Sequence, residues 1–177
     1  NCLDTQTPMR ITHLGKYYPP EMGGIETATQ TIVQGQTAQQ HEVKVVCFNT
    51  DAGGNDTLDG ARILRYPINR FIGSQPMGFE YFMDGMKHCR SADVVHLHAP
   101  NLLAALMALF LPSSVKLVVH WHSDVIGKGW LGRLVRPLEF GLLKRADAVI
   151  ATSPRYAEGS VMLRRVLSKV TVIPLSL

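Results

Sequence analysis

The feature that most constrains this chain is an alternation. Short β-branched apolar runs at Met9–Leu14, Val43–Phe48, Arg62–Tyr66, Asp93–His98, Lys116–Trp121, Ala148–Thr152 and Val170–Pro174 are separated by stretches of helical character. Those stretches are Ile25–Gln40, Gly78–Cys89, Asn101–Leu111, Trp130–Arg145 and Pro154–Val166. Runs such as Val43-Lys44-Val45-Val46-Cys47-Phe48 and Leu117-Val118-Val119 are continuous, the pattern of strands covered on both faces in a parallel sheet. In the fourth helix Leu131, Leu134, Val135, Leu138 and Leu142 form one apolar stripe, which Pro137 is expected to kink. One joint occurs twice: Ser91-Ala92-Asp93-Val94-Val95 and Arg145-Ala146-Asp147-Ala148-Val149 each run from a helix end through Ala-Asp into an apolar strand. Right-handed crossovers stack such units into an α/β, doubly wound, mostly parallel sheet with helices on both faces.

With 177 residues, 46% of them hydrophobic and 18% charged, the chain is neither disordered nor a disulfide miniprotein. It is long enough for one domain, expected over residues 9–177, with 1–8 a leader or processing remnant because the start lacks both an initiator Met and signal-peptide character. The longest apolar run, Leu102 to Leu111, has ten residues, against about 20 for a membrane-spanning helix. Three cysteines with no CxxC spacing, one of them (Cys47) in an apolar run, point to a reducing, cytoplasmic compartment and an inert buried thiol. Residues 1–88 hold 7 Lys/Arg against 9 Asp/Glu and residues 89–177 hold 11 against 5, so the net charge of +4 lies in the second half. A basic half suits an anionic partner or is a solvated face.

In a doubly wound sheet ligands bind outside the carboxyl ends of the strands, so the loops there carry the chemistry. The first, Gly15-Lys16-Tyr17-Tyr18-Pro19-Pro20-Glu21-Met22-Gly23-Gly24, is neither a dinucleotide fingerprint nor a Walker loop. Its glycine pair opens a helix, whose free N–H groups and positive dipole end favour an anion such as a diphosphate; alternatively the glycines only permit a tight turn. His96-Leu97-His98 and His120-Trp121-His122 each end a strand, and residues i and i+2 share a face. The four histidines could form a metal centre, one could contact substrate at the strand tip, or they could pack as satisfied core residues. Lys128, Arg133, Arg136, Lys144 and Arg145 share an amphipathic helix with Trp130 and Phe140, a surface suited to anionic lipid or simply to solvent.

Taken in order, Gly15 to Pro20 with Gly23-Gly24-Ile25-Glu26, His96-Leu97-His98, His120-Trp121-His122-Ser123-Asp124, Ala146 to Ser153 and Val172-Ile173-Pro174 resemble the N-terminal domain of group 1 (family 4) glycosyltransferases. The resemblance covers nearly the whole chain from Met9. It implies GT-B architecture, two Rossmann-like domains with the active site between them, and transfer of a sugar from a nucleotide diphosphate sugar with retention and without a metal or other cofactor. The acceptor class it implies is a glycan or lipid-linked molecule, in polysaccharide or lipopolysaccharide-type biosynthesis. Gly23 and Gly24 match the family's donor-diphosphate loop and His122 its active-site histidine. Lys128 and Arg155, basic residues in cleft-facing loops, are further candidates for the phosphates, and Tyr18, Glu21, His98, Asn101, Ser123 and Asp124 for the acceptor side.

The family's Glu-x7-Glu donor-binding carboxylates belong to the second domain and have no counterpart here. The chain is therefore expected to be the acceptor-side half, partnered by its own C-terminal domain, inactive by itself, and peripheral on the inner face of a membrane. Nucleic acid is not an expected partner. The competing readings are a metal-dependent hydrolase using His96, His98, His120 and His122, and a non-catalytic anion- or membrane-binding module.

Overall fold

The computed structural model describes residues 7–50, 54–123 and 130–174, the side chains of 130–134 excepted. The elements run β1 (Arg10–Leu14), α1 (Gly24–Ala38), β2 (Glu42–Asn49), β3 (Asp56–Leu58), β4 (Ala61–Pro67), β5 (Arg70–Ile72), β6 (Gln75–Met77), α2 (Phe79–Arg90) and β7 (Val94–Ala99). They continue through α3 (Leu102–Ala108), β8 (Lys116–Trp121), α4 (Trp130–Arg145), β9 (Ala148–Ala151) and α5 (Pro154–Gly159). Two 3-10 turns, Leu163–Arg165 and Leu167–Lys169, then lead to β10 (Val170–Val172). Eight strands form one sheet in the order β10-β9-β8-β7-β1-β2-β4-β3, with only β3 antiparallel to its neighbour. The order reverses direction at β1, which lies between β2 and β7, so the crevice above β1 is the place where such a sheet binds ligand.

The repeated Ala-Asp joint has a physical reason. Each aspartate precedes one strand and bolts the start of its neighbour. Asp93, before β7, accepts the Arg10 backbone N–H of β1 at 2.8 Å and pairs with the Arg10 guanidinium at 2.7 Å. Asp147, before β9, accepts the Leu117 N–H of β8 at 2.9 Å. The backbone answers in both cases: Asp93 N donates to Arg10 O at 2.9 Å and Asp147 N to Leu117 O at 2.8 Å. These bonds satisfy ladder groups that the first residues of a parallel strand leave open.

Two cores flank the sheet. Leu14, Val46, Phe48, Leu97, Leu117, Val119 and Trp121 pack with Tyr81, Met107 and Leu142 of α2, α3 and α4. On the other face Ile11, Val43, Val45, Cys47 and Ile63 pack with Tyr18 and with Val33 of α1. Cys47 and Cys89 are buried, and burial pushes both thiols up to about 12, so neither is a reactive thiolate.

Two local expectations are corrected. The helix expected over Pro154–Val166 ends at Gly159, because Ser160 turns extended at ψ 124 and its hydroxyl accepts the Leu163 N–H at 3.2 Å. The helix expected to reach Leu111 stops at Ala108. Strand β3 and the β5–β6 hairpin carry no apolar run long enough to announce them, and each is turned by a glycine at positive φ, Gly60 (75) and Gly73 (59). Helix α4 runs through Pro137 as one element.

Candidate active site at the carboxyl edge of the sheet

The loop after β1 is held from below. Arg65, whose side chain is 4% exposed in the middle of β4, donates to the Tyr18 carbonyl at 3.1 Å and to the Pro19 carbonyl, and lies 3.5 Å from the Glu21 carboxylate. Tyr81 of α2 donates to the Gly15 carbonyl at 2.9 Å. Thus anchored, the loop delivers Gly23 as the N-cap of α1, with extended backbone and no side-chain cap. Neither glycine of the pair has positive φ, so the tight-turn explanation fails. A Cβ at Gly23 would collide with the Glu26 carboxylate folded back over the helix start, whereas at Gly24, which is exposed, it would meet nothing within 4 Å. The uncapped start of α1 leaves backbone N–H groups and the positive dipole end, which favour an anion, and the Glu26 carboxylate lies against it. Half-buried Lys16, its pKa lowered by burial and raised by Glu26, supplies a cation in the same loop.

On the sheet face beneath α1 lie five histidines, from β1 (His13), β7 (His96, His98) and the end of β8 (His120, His122). They form two layers. In the upper one His13 Nδ1 meets His98 Nε2 at 2.9 Å and His98 Nδ1 meets His122 Nε2 at 3.3 Å, a row that climbs diagonally across three strands to the carboxyl edge. Below it, His96 stacks on His13 and His98 (centroids 4.8 and 4.6 Å apart), and His120 stacks on His122 at 4.1 Å. Helix α1 closes the row from above: Gln36 Oε1 lies 2.7 Å from His13 Nε2, and Thr29 Oγ1 lies 3.2 Å from His98 Nδ1. Thr29 follows Gly24 by five residues, about 7.5 Å of helix rise, so the start of α1 and His122 both lie toward the carboxyl edge of the sheet.

All five imidazoles are neutral at ordinary pH, because burial disfavours the cation. It brings His13 and His120 down to about 4 and His122 to about 3, and holds His96 and His98 well below the usual value, neighbouring histidines adding to the effect. The triads His13/His96/His98 and His98/His120/His122 each offer nitrogens within 4.8 Å of one another, a spacing open to a metal ion. The ring planes argue otherwise. His96 and His98 are 7° from parallel and His120 and His122 are 17°, so in-plane lone pairs run side by side without converging.

Gly23, Gly24 and His122 are thus brought to one edge, and Ser123 follows His122 as an exposed residue. Several other expectations need correction. Tyr18 is fully buried, its hydroxyl donating to Asp59 at 3.0 Å; it belongs to the core beneath α1 and not to an acceptor surface. Asn101 is buried as the N-cap of α3, accepting the Ala104 N–H and donating to the Tyr81 hydroxyl, both at 3.1 Å. Glu21 is occupied by Arg65 and by the Thr50 hydroxyl at 2.6 Å. His98 is buried in the centre of the row and offers an acceptor nothing. Arg155 is exposed on α5, beside a shallow depression lined by Ser153, Tyr156 and Ser160. Lys128 and Asp124 lie outside the described residues. On the basic helix, Arg136 is exposed, Phe140 lies under the Arg165 guanidinium at 5.4 Å, and Arg145 is engaged by Asp147 and the carbonyls of Pro112 and Val115.

Sequence reasoning passed over His13, Gln36, Thr29, Lys16 and Arg65. A signal existed for two of them. Thr29 and Gln36 are seven apart on α1, two turns along one face, and they are polar where that face meets the sheet.

Among the described residues no helix is long and apolar enough to cross a membrane. Comparison with known proteins bears out the resemblance. The chain is 28% identical over 171 residues to the O-antigen chain mannosyltransferase C of Escherichia coli, covering 96% of this chain and 46% of that protein. It is also 28% identical over 167 residues to the D-rhamnosyltransferase WbpZ of Pseudomonas aeruginosa PAO1, covering 93% and 44%. The chain therefore spans just under half the length of these curated relatives. The structure of Anabaena HepE in complex with UDP and glucose superposes with a TM-score of 0.63 at 15% identity, over 96% of this chain and 45% of that one. None of these relatives supports a hydrolase. Residues 23–176 match the family described as glycosyl transferase 4-like domain, and the chain belongs to that family, with the fold of the N-terminal domain of GT-B glycosyltransferases.

Proposed function

We propose that this domain is the acceptor-side half of a retaining glycosyltransferase that moves a sugar from a nucleotide diphosphate sugar to a glycan or lipid-linked acceptor in polysaccharide biosynthesis. The observation that carries the reading is what the carboxyl edge of the sheet holds: an uncapped helix start after β1 with an unobstructed Gly24, and a neutral histidine just past the end of β8. The diphosphate binds at the start of α1, where N–H groups and the helix dipole favour negative charge. Leaving-group charge is stabilised there without a metal, and a second domain supplies the remaining donor contacts. The relatives' names carry mannose, in an O-antigen chain, and D-rhamnose, and these give the model for the sugar.

His122 is neutral and anchored through Nε2, so it positions a sugar hydroxyl near the reacting carbon; it is not an obligatory base. Loss of one well-placed hydrogen-bonding group in a dry site costs about 10²–10³ in rate. In the intact enzyme, His122→Ala should lower kcat by that order with the melting temperature little changed, while His120→Ala, removing a 1% exposed ring, should mainly reduce stability. Wild-type turnover by His122→Ala beside a folded but dead His120→Ala would overturn the assignment.

A further inference from the structure

The β3–β4 hairpin at the edge of the sheet grips the loop that precedes α1. Strand β3 returns to β4 through Asp59-Gly60, both at positive φ (56 and 75). That is the two-residue turn for which Asp-Gly is a favoured sequence. Two charged side chains of the hairpin reach out of it to the same tyrosine. Arg65 of β4 donates to the Tyr18 carbonyl at 3.1 Å and to that of Pro19, with Glu21 at 3.5 Å and Asp56 of β3 at 3.7 Å. From the turn, the Asp59 carboxylate accepts the Tyr18 hydroxyl at 3.0 Å, Gln30 Nε2 at 2.9 Å and Gln34 Nε2 at 2.8 Å. Carbonyls and carboxylates only accept, so the sense of each of these bonds is fixed. Tyr18 is thus held at its backbone and at its hydroxyl. Gln30 and Gln34, one turn apart on α1, tie the helix to the same carboxylate.

Arg65 is costly where it stands. Its side chain is 4% exposed, on the face of the sheet that carries Val45, Cys47 and Ile63. An apolar residue of similar volume would serve the strand as well or better, because a buried guanidinium must be stripped of water. Every oxygen that Arg65 meets lies off β4: the two loop carbonyls, Glu21 of the same loop and Asp56 of β3. We propose that Arg65 and Asp59 are positioning residues of the donor site. Together they fix the path of the β1–α1 loop and the start of α1, so that a diphosphate meets backbone N–H groups already in place. The inference rests on the diphosphate site at α1 and adds the residues that hold it. Both act through Tyr18 and its neighbours and not on the nucleotide sugar itself.

Two measurements on the intact enzyme test this. Asp59→Gly suits the positive φ and removes the carboxylate, whereas Asp59→Asn keeps both the turn and an acceptor oxygen. Arg65→Lys keeps the charge but lacks the planar fork that spans two carbonyls. Amide hydrogen exchange over residues 15–27 should speed up about tenfold or more in Asp59→Gly and Arg65→Lys, with β7 and β8 unchanged. Calorimetry with UDP and with GDP reads the diphosphate site. Affinity for whichever binds the wild type should fall about tenfold in those two variants, the lower worth of a hydrogen bond to a charged group, and Asp59→Asn should stay within about twofold. A merely structural role would speed exchange across the whole sheet and lower the melting temperature with affinity unmoved, and that result would overturn the proposal. Unchanged exchange in the loop would overturn the positioning role alone. Faster loop exchange with unmoved affinity, or a wild type that binds neither nucleotide, would overturn the diphosphate site at α1 and the proposal with it.

Discussion

Five buried neutral histidines make this domain sensitive to mild acid. The perturbation is a shift from about pH 7.5 to about pH 5. The unfolded chain binds protons at histidine near pH 6.5, whereas the folded chain holds His13 and His120 to about 4 and His122 to about 3. Above pH 6.5 all three are neutral in both states and contribute no pH dependence. As pH falls below 6.5 the unfolded state takes up protons that the folded state refuses. Stability then drops by about 1.4 kcal/mol per pH unit per group until the folded value is reached. At about pH 5 that is about 2 kcal/mol for each of the three, or about 6 kcal/mol together, and His96 and His98 act in the same direction. Domains of this size are stable by about 5–15 kcal/mol, so the loss is comparable to the whole. Urea unfolding followed by circular dichroism across this range should show the midpoint falling steeply while the m-value stays constant. The slope of stability against pH should report an uptake of three to five protons near pH 5.5. His96→Phe should reduce that uptake by about one. The carboxylates held below their usual range, Asp93 at about 2 among them, lose their contribution only as pH falls through lower values and do not mask this window. A midpoint unchanged from about pH 7.5 to 5.5 would refute the reasoning.

Other expectations are simpler to state. Asn101→Ala removes the cap of α3 and the partner of the Tyr81 hydroxyl, and thermal melts should show a loss of about 1–3 kcal/mol. Gly24→Ala fills open space at a position where helix propensity favours alanine, so it should leave stability unchanged or slightly higher while weakening nucleotide diphosphate sugar binding measured by calorimetry on the intact enzyme. Equal binding by the variant would remove the close-approach reading. If the basic helix contacts anionic lipid, sedimentation with anionic vesicles should fall steeply with salt, each charge near the surface contributing about 1 kcal/mol, and charge reversal at Arg133 and Arg136 should abolish it. Equal sedimentation with neutral vesicles would leave a solvated face.

The parallel sheet was legible because β-branched runs of five or more residues can hardly be anything else, and the histidine pairs were legible because i, i+2 on a strand fixes a shared face. What stayed hidden follows one physical rule: sequence shows the residue type, and the direction of a side chain in a loop depends on partners far along the chain. Tyr18 and Asn101 sit in loops at the ligand-binding edge, where polar and aromatic residues suggest contact with substrate. Each is turned inward instead, because the loop itself has backbone groups to satisfy and a fixed path to hold. Arg65 shows the same rule from the other side. It reads as a polar interruption of an apolar strand, yet it is the group that secures the carbonyls of Tyr18 and Pro19 from within the sheet. His13 is the hardest case. Alone in β1 it has no paired neighbour to mark it, and its importance comes from register: β1 places it opposite His96 and diagonally below His98. A lone histidine on a central parallel strand is therefore best judged after the neighbouring strands are aligned.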